Sequence, residues 1–185
     1  MGKNKKEKSN KGLAALKHIR PKNYMTKRFL ALVVDFIVVA FLSLMVFRIL
    51  NRPGWDSYLA MAETVKGLPK ADPLVTQRMI LYQECMFTTM AVCLVYEIVF
   101  LLTVRATIGK LLFGLRIVDH QEGRKPLISK LFLVLRAMIR VVSLYLLSAI
   151  PFIFLCLSVY GNADIRSGFD LFTGTKVIAL ARSEI

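Results

Sequence analysis

Residues Phe29 to Leu50 read FLALVVDFIVVAFLSLMVFRIL, and this stretch decides the fold class. At about 1.5 Å of rise per residue, a helix of this length crosses a hydrocarbon core of roughly 30 Å. Asp35 interrupts the apolar run seven residues after Arg28. A charged side chain at such a depth is costly and usually faces protein or water, so it is a candidate functional residue. The stretch therefore predicts a membrane-spanning helix that carries a buried acid.

The composition of the whole chain also favours a membrane protein. Of its 185 residues, 56% are hydrophobic, and the mean hydropathy of +0.55 is too high for an ordinary soluble domain. The formal charge of +14 would suggest nucleic acid as the partner of a soluble protein. Here the basic residues flank the apolar runs, so membrane lipids with anionic headgroups are the predicted partner and nucleic acid is not.

The sequence shows no pattern typical of a metal, a cofactor or a catalytic residue. Cys85, Cys93 and Cys156 lie in or beside apolar runs without CxxC spacing, which favours packed free thiols. Gly109-Lys110 superficially resembles a phosphate-binding loop, but Leu111 stands where that motif needs Ser or Thr. Because no nucleophile–base pair is visible either, we expect a protein that is not an enzyme and needs no cofactor or metal.

Three apolar segments organise the chain. Spanning helices are predicted over about Lys27 to Leu50 and Glu84 to Val104, and a third apolar run extends from Leu131 to Tyr160. The third run has three possible arrangements: it crosses once, it folds back near the helix-breaking Pro151 as a re-entrant segment, or it lays Ser129 to Arg140 flat at the interface. The predicted fold class is an all-α polytopic membrane protein, with two spanning helices plus a third spanning or re-entrant helical segment.

The distribution of Lys and Arg predicts the orientation. The first 28 residues hold ten of them, residues 51–78 hold four, and residues 105–130 hold six. The N-terminus and the 105–130 loop should therefore face the cytoplasmic side of a cell (inner) membrane, with the 51–78 loop outside. Residues 1–22 form a Lys-rich arm whose composition predicts disorder. The tail, residues 161–185, has balanced charge and does not reveal its side.

Charged residues from all three apolar segments fall at a similar depth. Asp35 and Glu97 lie about 10 and 12 Å from the cytoplasmic ends of their helices. Arg136 and Arg140 lie roughly 9 and 15 Å into the third segment if it inserts as a helix. Two acids and two guanidinium groups thus share one layer of the inner leaflet, where bidentate pairing is the least costly way to hold either group.

Three interpretations of this layer are open. In the first, its ion pairs fix the register of the helices and do nothing more. In the second, Asp35 or Glu97 binds a cation or carries a proton and exchanges partners during transport, with Arg28, Arg136 and Arg140 as competing counter-ions. In the third, some of these groups extend along the surface and reach water.

Residues 107–129 read TIGKLLFGLRIVDHQEGRKPLIS and predict a polar surface element. We expect a short interfacial helix that begins near Thr107, a strand at Leu115 to Asp119, a turn at Gln121 to Gly123 and return pairing around Pro126 to Ile128. Another short strand is predicted at Thr175 to Leu180. If the tail is cytoplasmic, these pieces form a small β-containing element on the inner membrane surface.

Three blocks of the sequence resemble the RDD family of small prokaryotic membrane proteins, named for one Arg and two Asp residues. The first block is RFLALVVD, from Arg28 to Asp35, and the last is FDLFTGTKV, in which Asp170 is the second Asp. The middle block joins TIGK to GLRIVD, which ends at Asp119. The family commonly has His where Phe169 stands, which puts any proton-shuttling role of that His in doubt here. The remaining motif positions are Thr107, Gly109, Lys110, Gly114, Arg116 and Thr175.

The resemblance implies an RDD membrane domain over residues 23–185 and a shared site for Arg28, Asp35 and Asp170, in which Asp170 is a further candidate ion-binding or proton-carrying acid. That site requires a cytoplasmic tail and so favours the re-entrant arrangement of the third segment. The alternative role for Asp170 is a helix or turn cap that accepts N–H bonds from Phe172 or Thr173. Some members of the family are cation/proton antiporters, and others are accessory or assembly proteins.

Two functions are therefore expected as alternatives. The first is transport of monovalent cations or protons. Three short spans enclose little volume, so the pathway would form between the protomers of a homo-oligomer. The second is a non-transporting scaffold or assembly factor, which binds anionic lipid or another membrane protein through the basic arm and the basic loop at residues 105–130.

Overall fold

A computed structural model describes residues 23–70, 72–119, 125–145, 149–161 and 166–179. The basic arm at residues 1–22, the turn expected at residues 121–123 and the final residues of the tail lie outside the described residues. The predictions made for those segments are therefore not addressed by the structure.

Helix α1, Tyr24–Ile49, is the first predicted span and begins three residues earlier than expected. Its buried residues recur every fourth position, from Ala31 through Asp35 and Val39 to Ser43 and Phe47, so they form one face. Most of the other positions are apolar and exposed, such as Ile37 at 63%. A helix that is apolar nearly all round suits a membrane, with one stripe against protein and the rest against lipid.

The second span is longer than the sequence indicated. Helix α3, Pro73–Thr103, begins eleven residues before the predicted start at Glu84, because Asp72 caps it by accepting a hydrogen bond of 2.8 Å from the backbone N–H of Leu74. Proline at the first helical position suits such a start. Polar side chains in its first turns lower the local hydropathy, so the hydropathy pattern did not indicate this part of the helix. The structure thus corrects the expected loop at residues 51–78.

A short helix, α2, Trp55–Thr64, also lies within that expected loop. The rings of Trp55, Tyr58 and Tyr82 pack edge-on or tilted, with centroids 5.5 to 6.0 Å apart, and fix α2 against α3. The indole N–H of Trp55 donates to Thr89 at 3.1 Å. Aromatic residues with a polar tip are typical of membrane interfaces. By length and composition, α1 and α3 are the two helices of the described residues that can cross a membrane.

A short helix and a strand follow α3 close to the predicted positions. Helix α4, Ile108–Leu112, packs against α1 and leads into strand β1, Leu115–Asp119. Strand β2, Thr175–Ala179, pairs antiparallel with β1, with Leu115 opposite Ala179 and Asp119 opposite Thr175. The expected return pairing at residues 126–128 is wrong. Pro126 instead opens the next helix, a position that its fixed φ favours, and the tail supplies the second strand.

The third apolar run is divided into two helices. Helix α5, Pro126–Tyr145, and helix α6, Ile150–Gly161, flank residues 146–148, which are not described. Ala149, just before α6, has a φ of 60°, which is not helical, so the run does not form one helix from 131 to 160. Pro151 lies in the first turn of α6, where proline is tolerated, and the break precedes it. At about 1.5 Å per residue, α6 is roughly 18 Å long and too short to cross a hydrocarbon core alone.

The chain then returns to the start of the fold. Helix α7, Gly168–Thr173, packs against α5 and α6 and leads into β2. One apolar cluster joins α1, α3, α5 and both strands; its buried members are Ala31, Leu101, Leu115, Ile117, Leu133, Ala137 and Val177. The hydroxyl of Tyr24 donates to the carbonyl of Val177 at 2.6 Å, which ties the beginning of α1 to β2. These contacts position the charged residues described next.

Candidate functional site

Asp170 lies in the first turn of α7, is fully buried, and accepts hydrogen bonds from Arg28, Ser167 and Arg136. Its Oδ2 accepts from the Arg28 guanidinium at 2.9 Å and from both the backbone N–H and the hydroxyl of Ser167, at 2.9 and 2.7 Å. Its Oδ1 pairs with the Arg136 guanidinium. Asp170 therefore caps its own helix, although through Ser167 rather than through Phe172 or Thr173, and also joins two distant arginines.

Charge outweighs burial in setting the protonation state of Asp170. Burial by itself would raise the pKa of this carboxyl, but Arg136 and Arg28 stabilise the ionised form and hold the pKa well below its usual range. Hydrogen bonds from Ser167 and Arg136 act in the same direction. The group is therefore a carboxylate at every physiological pH.

Two threonines complete the surroundings of Arg136. Thr175, a motif residue, accepts from Arg136 Nη1 at 2.7 Å, and its hydroxyl lies 3.0 Å from that of Thr173. Both threonines are fully buried. They satisfy polar atoms that would otherwise be costly in a dry interior, because an unpaired buried polar group destabilises the fold by about 1–3 kcal/mol.

Asp35 forms a second centre, on α1, and its partners come from α3 and α4. Its Oδ1 accepts from the Tyr96 hydroxyl at 2.8 Å and from the backbone N–H of Gly109 at 2.9 Å. Its Oδ2 accepts from the Thr107 hydroxyl at 2.6 Å and lies 4.0 Å from the Arg140 guanidinium. The TIGK motif is thus the hydrogen-bonding partner of the first motif Asp.

Gly109 is required at this junction by close packing. A Cβ added there would collide with the backbone carbonyl of Ala31 and would lie 2.9 Å from Asp35 Oδ1. Ala31 is itself small and 1% exposed. The two small residues let α4 lie directly on α1, so that the N–H of Gly109 reaches the Asp35 carboxylate.

Glu97 and Arg140 form the third ion pair, and Arg140 connects it to Asp35. The guanidinium of Arg140 contacts Glu97 directly and remains 4.0 Å from Asp35. Side chains of all three are at most 14% exposed. The Arg140 guanidinium is therefore shared between two buried acids, one on α1 and one on α3.

The predicted site residues are gathered, but they form two centres rather than one shared site. Arg28 contacts Asp170 and not Asp35, and Arg136 belongs to the same centre. Arg140 belongs with Asp35 and Glu97. The resemblance implied one shared site for Arg28, Asp35 and Asp170, but Arg28 and Asp35 lie on one face of α1 roughly 10 Å apart along the helix, and Arg28 contacts Asp170.

The other motif residues surround these centres. Lys110 Nζ donates to Thr107 at 3.3 Å, and its pKa is lowered to about 8 by burial and by nearby Arg140. Gly114 adopts a φ of 65° at the entry to β1, a conformation that glycine accommodates without strain. Arg116 is exposed on β1 and belongs to neither centre. Phe169, in the family's His position, packs against Phe152 with ring centroids 5.8 Å apart.

Tyr96 and Ser167 were not predicted as site residues from the sequence. Tyr96 is 5% exposed in the apolar helix α3, where its phenol hydroxyl needs a polar partner. A tyrosine directly before Glu97 in an apolar run could therefore have indicated a site residue. Ser167 stands three residues before Asp170, which is the spacing of a capping box.

The RDD-family model matches residues 24–174 of the chain. The chain belongs to the RDD family. No curated protein and no solved structure matches it. In this RDD protein Arg28 and Asp170 are in direct contact, whereas Asp35 accepts hydrogen bonds from Thr107 and Gly109 of the TIGK block.

Two cavities of this RDD domain adjoin the centres. A void of about 10 Å³ lies among Asp35, Tyr96, Glu97 and Arg140, close to the volume of roughly 10–15 Å³ needed for one water. A larger cavity of about 170 Å³ has Arg28, Lys110, Arg136, Arg140 and Asp35 in its wall. The Asp35–Arg140 contact lies between the two. The described residues contain no group of three or more His, Cys, Asp or Glu that could hold a metal ion.

Proposed function

We propose that this RDD-family membrane protein is a multi-pass protein of the cell (inner) membrane with both termini on the cytoplasmic side. The excess of Lys and Arg before α1 and in residues 105–130 supports a cytoplasmic N-terminus. The pairing of β1 with β2 supports a tail on the same side as the 105–130 loop. Under this proposal α5 and α6 form a third, re-entrant segment and the two strands form the cytoplasmic β element.

We further propose that the protein transports protons or monovalent cations, and that Asp35, Arg140 and Glu97 couple the movement of the proton to that of the cation. The supporting observation is that one guanidinium serves two buried acids from separate spanning helices, beside a void of about 10 Å³ on one side and a cavity of about 170 Å³ on the other. An arginine that contacts one carboxylate and lies 4.0 Å from a second can shift toward the second when a proton neutralises the first.

The proposed cycle conserves charge and protons. A proton binds the Glu97 carboxylate and neutralises it, after which the Arg140 guanidinium moves fully onto Asp35. When the proton leaves toward the other side of the membrane, Arg140 returns to Glu97. A monovalent cation would enter by replacing Arg140 next to Asp35, whose oxygens already accept from Thr107, Tyr96 and Gly109. A homo-oligomer would provide the rest of the pathway.

Flux through proteoliposomes tests the transport proposal. Full-length protein should carry protons against an imposed Na⁺ or K⁺ gradient faster than empty vesicles, and Glu97→Gln should abolish that excess by leaving Arg140 with a single acid. Glu84→Gln is the matched control, since Glu84 is exposed on the same helix. Wild-type flux equal to that of empty vesicles would remove the transport proposal.

A second candidate function, a non-transporting scaffold, is favoured by the saturation of the acids. Asp35, Glu97 and Asp170 are each already paired with at least one arginine, which suits a permanent lock between helices. The scaffold would bind anionic lipid or another membrane protein through its basic cytoplasmic face. Deletion of residues 1–22 should then weaken binding to anionic liposomes, and unchanged binding and partner recovery would exclude the arm from that role.

A further inference from the structure

The cavity of about 170 Å³ opens between α1 and α6 and has the charged centres at its back. Arg28, Arg136 and Arg140 reach it from α1 and α5, and Lys110 reaches it from α4. Arg136 is 5% exposed, so its charge is held in a largely dry site. A cavity this much larger than the roughly 10–15 Å³ needed for one water has room for a polyatomic group.

The charge of the cavity favours an anion. Four basic side chains contribute to it, against Asp35 in the wall and Glu97 and Asp170 paired behind the arginines, which leaves one positive charge in excess. The carboxylate oxygens of Asp35 and Asp170 already accept hydrogen bonds from protein donors. While Arg140 lies beside Asp35 and Glu97, a cation in this cavity would meet net repulsion, whereas an anion would meet the N–H donors of four basic side chains.

The front of the cavity is apolar and faces outward. Phe29 and Leu32 line it from α1, and Leu157 lines it from α6. Phe29 is 63% exposed and Leu157 is 52% exposed, on the surfaces that a bilayer would cover. A ligand that fills the cavity from back to front needs a negatively charged head and a hydrocarbon portion.

We propose that this cavity binds the phosphate headgroup of an anionic glycerophospholipid, with the phosphate between Lys110 and the three arginines and an acyl chain along α1 and α6. The proposal deepens the second candidate function by naming the ligand and its site, and it does not require transport. Guanidinium groups suit phosphate because their planar N–H groups pair with two oxygens at once. A lipid with a choline headgroup binds less well, because its quaternary ammonium would lie in a positively charged site.

Lipid retention measured by native mass spectrometry tests the proposal on the full-length protein. The purified protein is titrated in detergent with phosphatidylglycerol or with phosphatidylcholine of identical acyl chains, and separately with inorganic phosphate. We expect one phosphatidylglycerol to remain bound at roughly tenfold lower concentration than phosphatidylcholine, the effect of one additional charge-assisted contact. Inorganic phosphate alone should neither bind stably nor displace the lipid.

Variants locate the bound lipid. Lys110→Gln should weaken phosphatidylglycerol retention roughly tenfold by removing one charged donor, and Lys110→Arg should restore it. Lys130→Gln is the matched control, because Lys130 is exposed on α5 and does not line the cavity. Thermal unfolding of each variant without added lipid separates loss of the site from loss of the fold.

Three results would overturn the proposal. Equal retention of the two lipids would show that the charge of the cavity is not used. Loss in Lys130→Gln as large as in Lys110→Gln would show general attraction to a basic surface. Tight binding of inorganic phosphate would identify a free anion as the ligand. Each of these outcomes is independent of the flux assay, so failure of this site and failure of transport are distinguishable.

Discussion

Asp170 is a buried carboxylate whose ionised form is stabilised by two arginines from segments more than 30 residues away along the chain. Removing the negative charge of Asp170 leaves Arg28 and Arg136 without this carboxylate, in a site where their side chains are at most 15% exposed. Breaking a buried ion pair by removal of one partner costs about 3–5 kcal/mol. The contribution of this residue to stability should therefore be visible in the pH dependence of unfolding.

The first prediction concerns acid. Because the folded pKa of Asp170 lies below its unfolded value of about 4, its stabilising effect is complete above that value and is lost as pH falls through the folded pKa. At neutral pH, Asp170→Asn should lower the free energy of unfolding in detergent by about 3 kcal/mol. The difference between wild type and variant should narrow progressively below about pH 4. A difference that stays constant from neutral pH to about pH 3 would contradict this account of Asp170.

The second prediction concerns the contact between α4 and α1. Gly109→Ala should destabilise the protein by about 1–3 kcal/mol, because the new methyl group forces α4 away from the Ala31 carbonyl and lengthens the Gly109 N–H bond to Asp35. Gly67→Ala is the matched control: its surroundings are open, and only its φ of 89° adds strain. Thermal unfolding of both variants in detergent measures the two losses, and a Gly109→Ala variant as stable as the wild type would show that α4 does not lie against α1.

At the level of elements, local patterns predicted α1 and the two strands closely, because those depend on nearby residues, but they placed the start of α3 eleven residues too late. The bounds of β1 were predicted correctly from LRIVD, and the start of β2 from TKVIA. The pairing of the strands was predicted less well than their positions. The segment at residues 126–128 was assigned to the sheet because it follows a turn signal, yet its proline suits the start of α5 and the true partner comes from the tail. Partner choice depends on how α5 to α7 fold back, which no local pattern encodes.

The third prediction fixes the register of the sheet. Arg116 is opposite Ile178 across the two strands, and directly opposed residues have Cα atoms about 4.5–5.5 Å apart. Arg116→Cys combined with Ile178→Cys should oxidise to an intramolecular disulfide in membranes, detected by mass spectrometry of the linked peptides. Arg116→Cys combined with Ile128→Cys is the control for the expected return pairing at residues 126–128, which are helical in the structure. Preferential cross-linking of the control pair would contradict the β1–β2 pairing.

At the level of the whole molecule, the sequence predicted that charged residues of the apolar runs lie close together but not how they pair. Asp35, Glu97, Arg136 and Arg140 were identified because each is charged within an apolar run. Their similar predicted depth does not determine which arginine pairs with which acid. The pairing depends on the tail, which brings Asp170 next to Arg28. Asp170 pairs with Arg136, and Arg140 pairs with Glu97 and lies near Asp35.

The central claim is that ion pairs between distant segments of the chain hold the fold together, and a double-mutant cycle between Arg136 and Asp170 tests it most directly. The free energy of unfolding in detergent is measured for wild type, Arg136→Gln, Asp170→Asn and the double variant, with Lys130→Gln replacing Arg136→Gln in a control cycle. The double variant should be more stable than the two single losses predict by at least about 1 kcal/mol, and the control cycle should be additive within about 0.5 kcal/mol. Additivity in both cycles would mean that Arg136 and Asp170 do not meet.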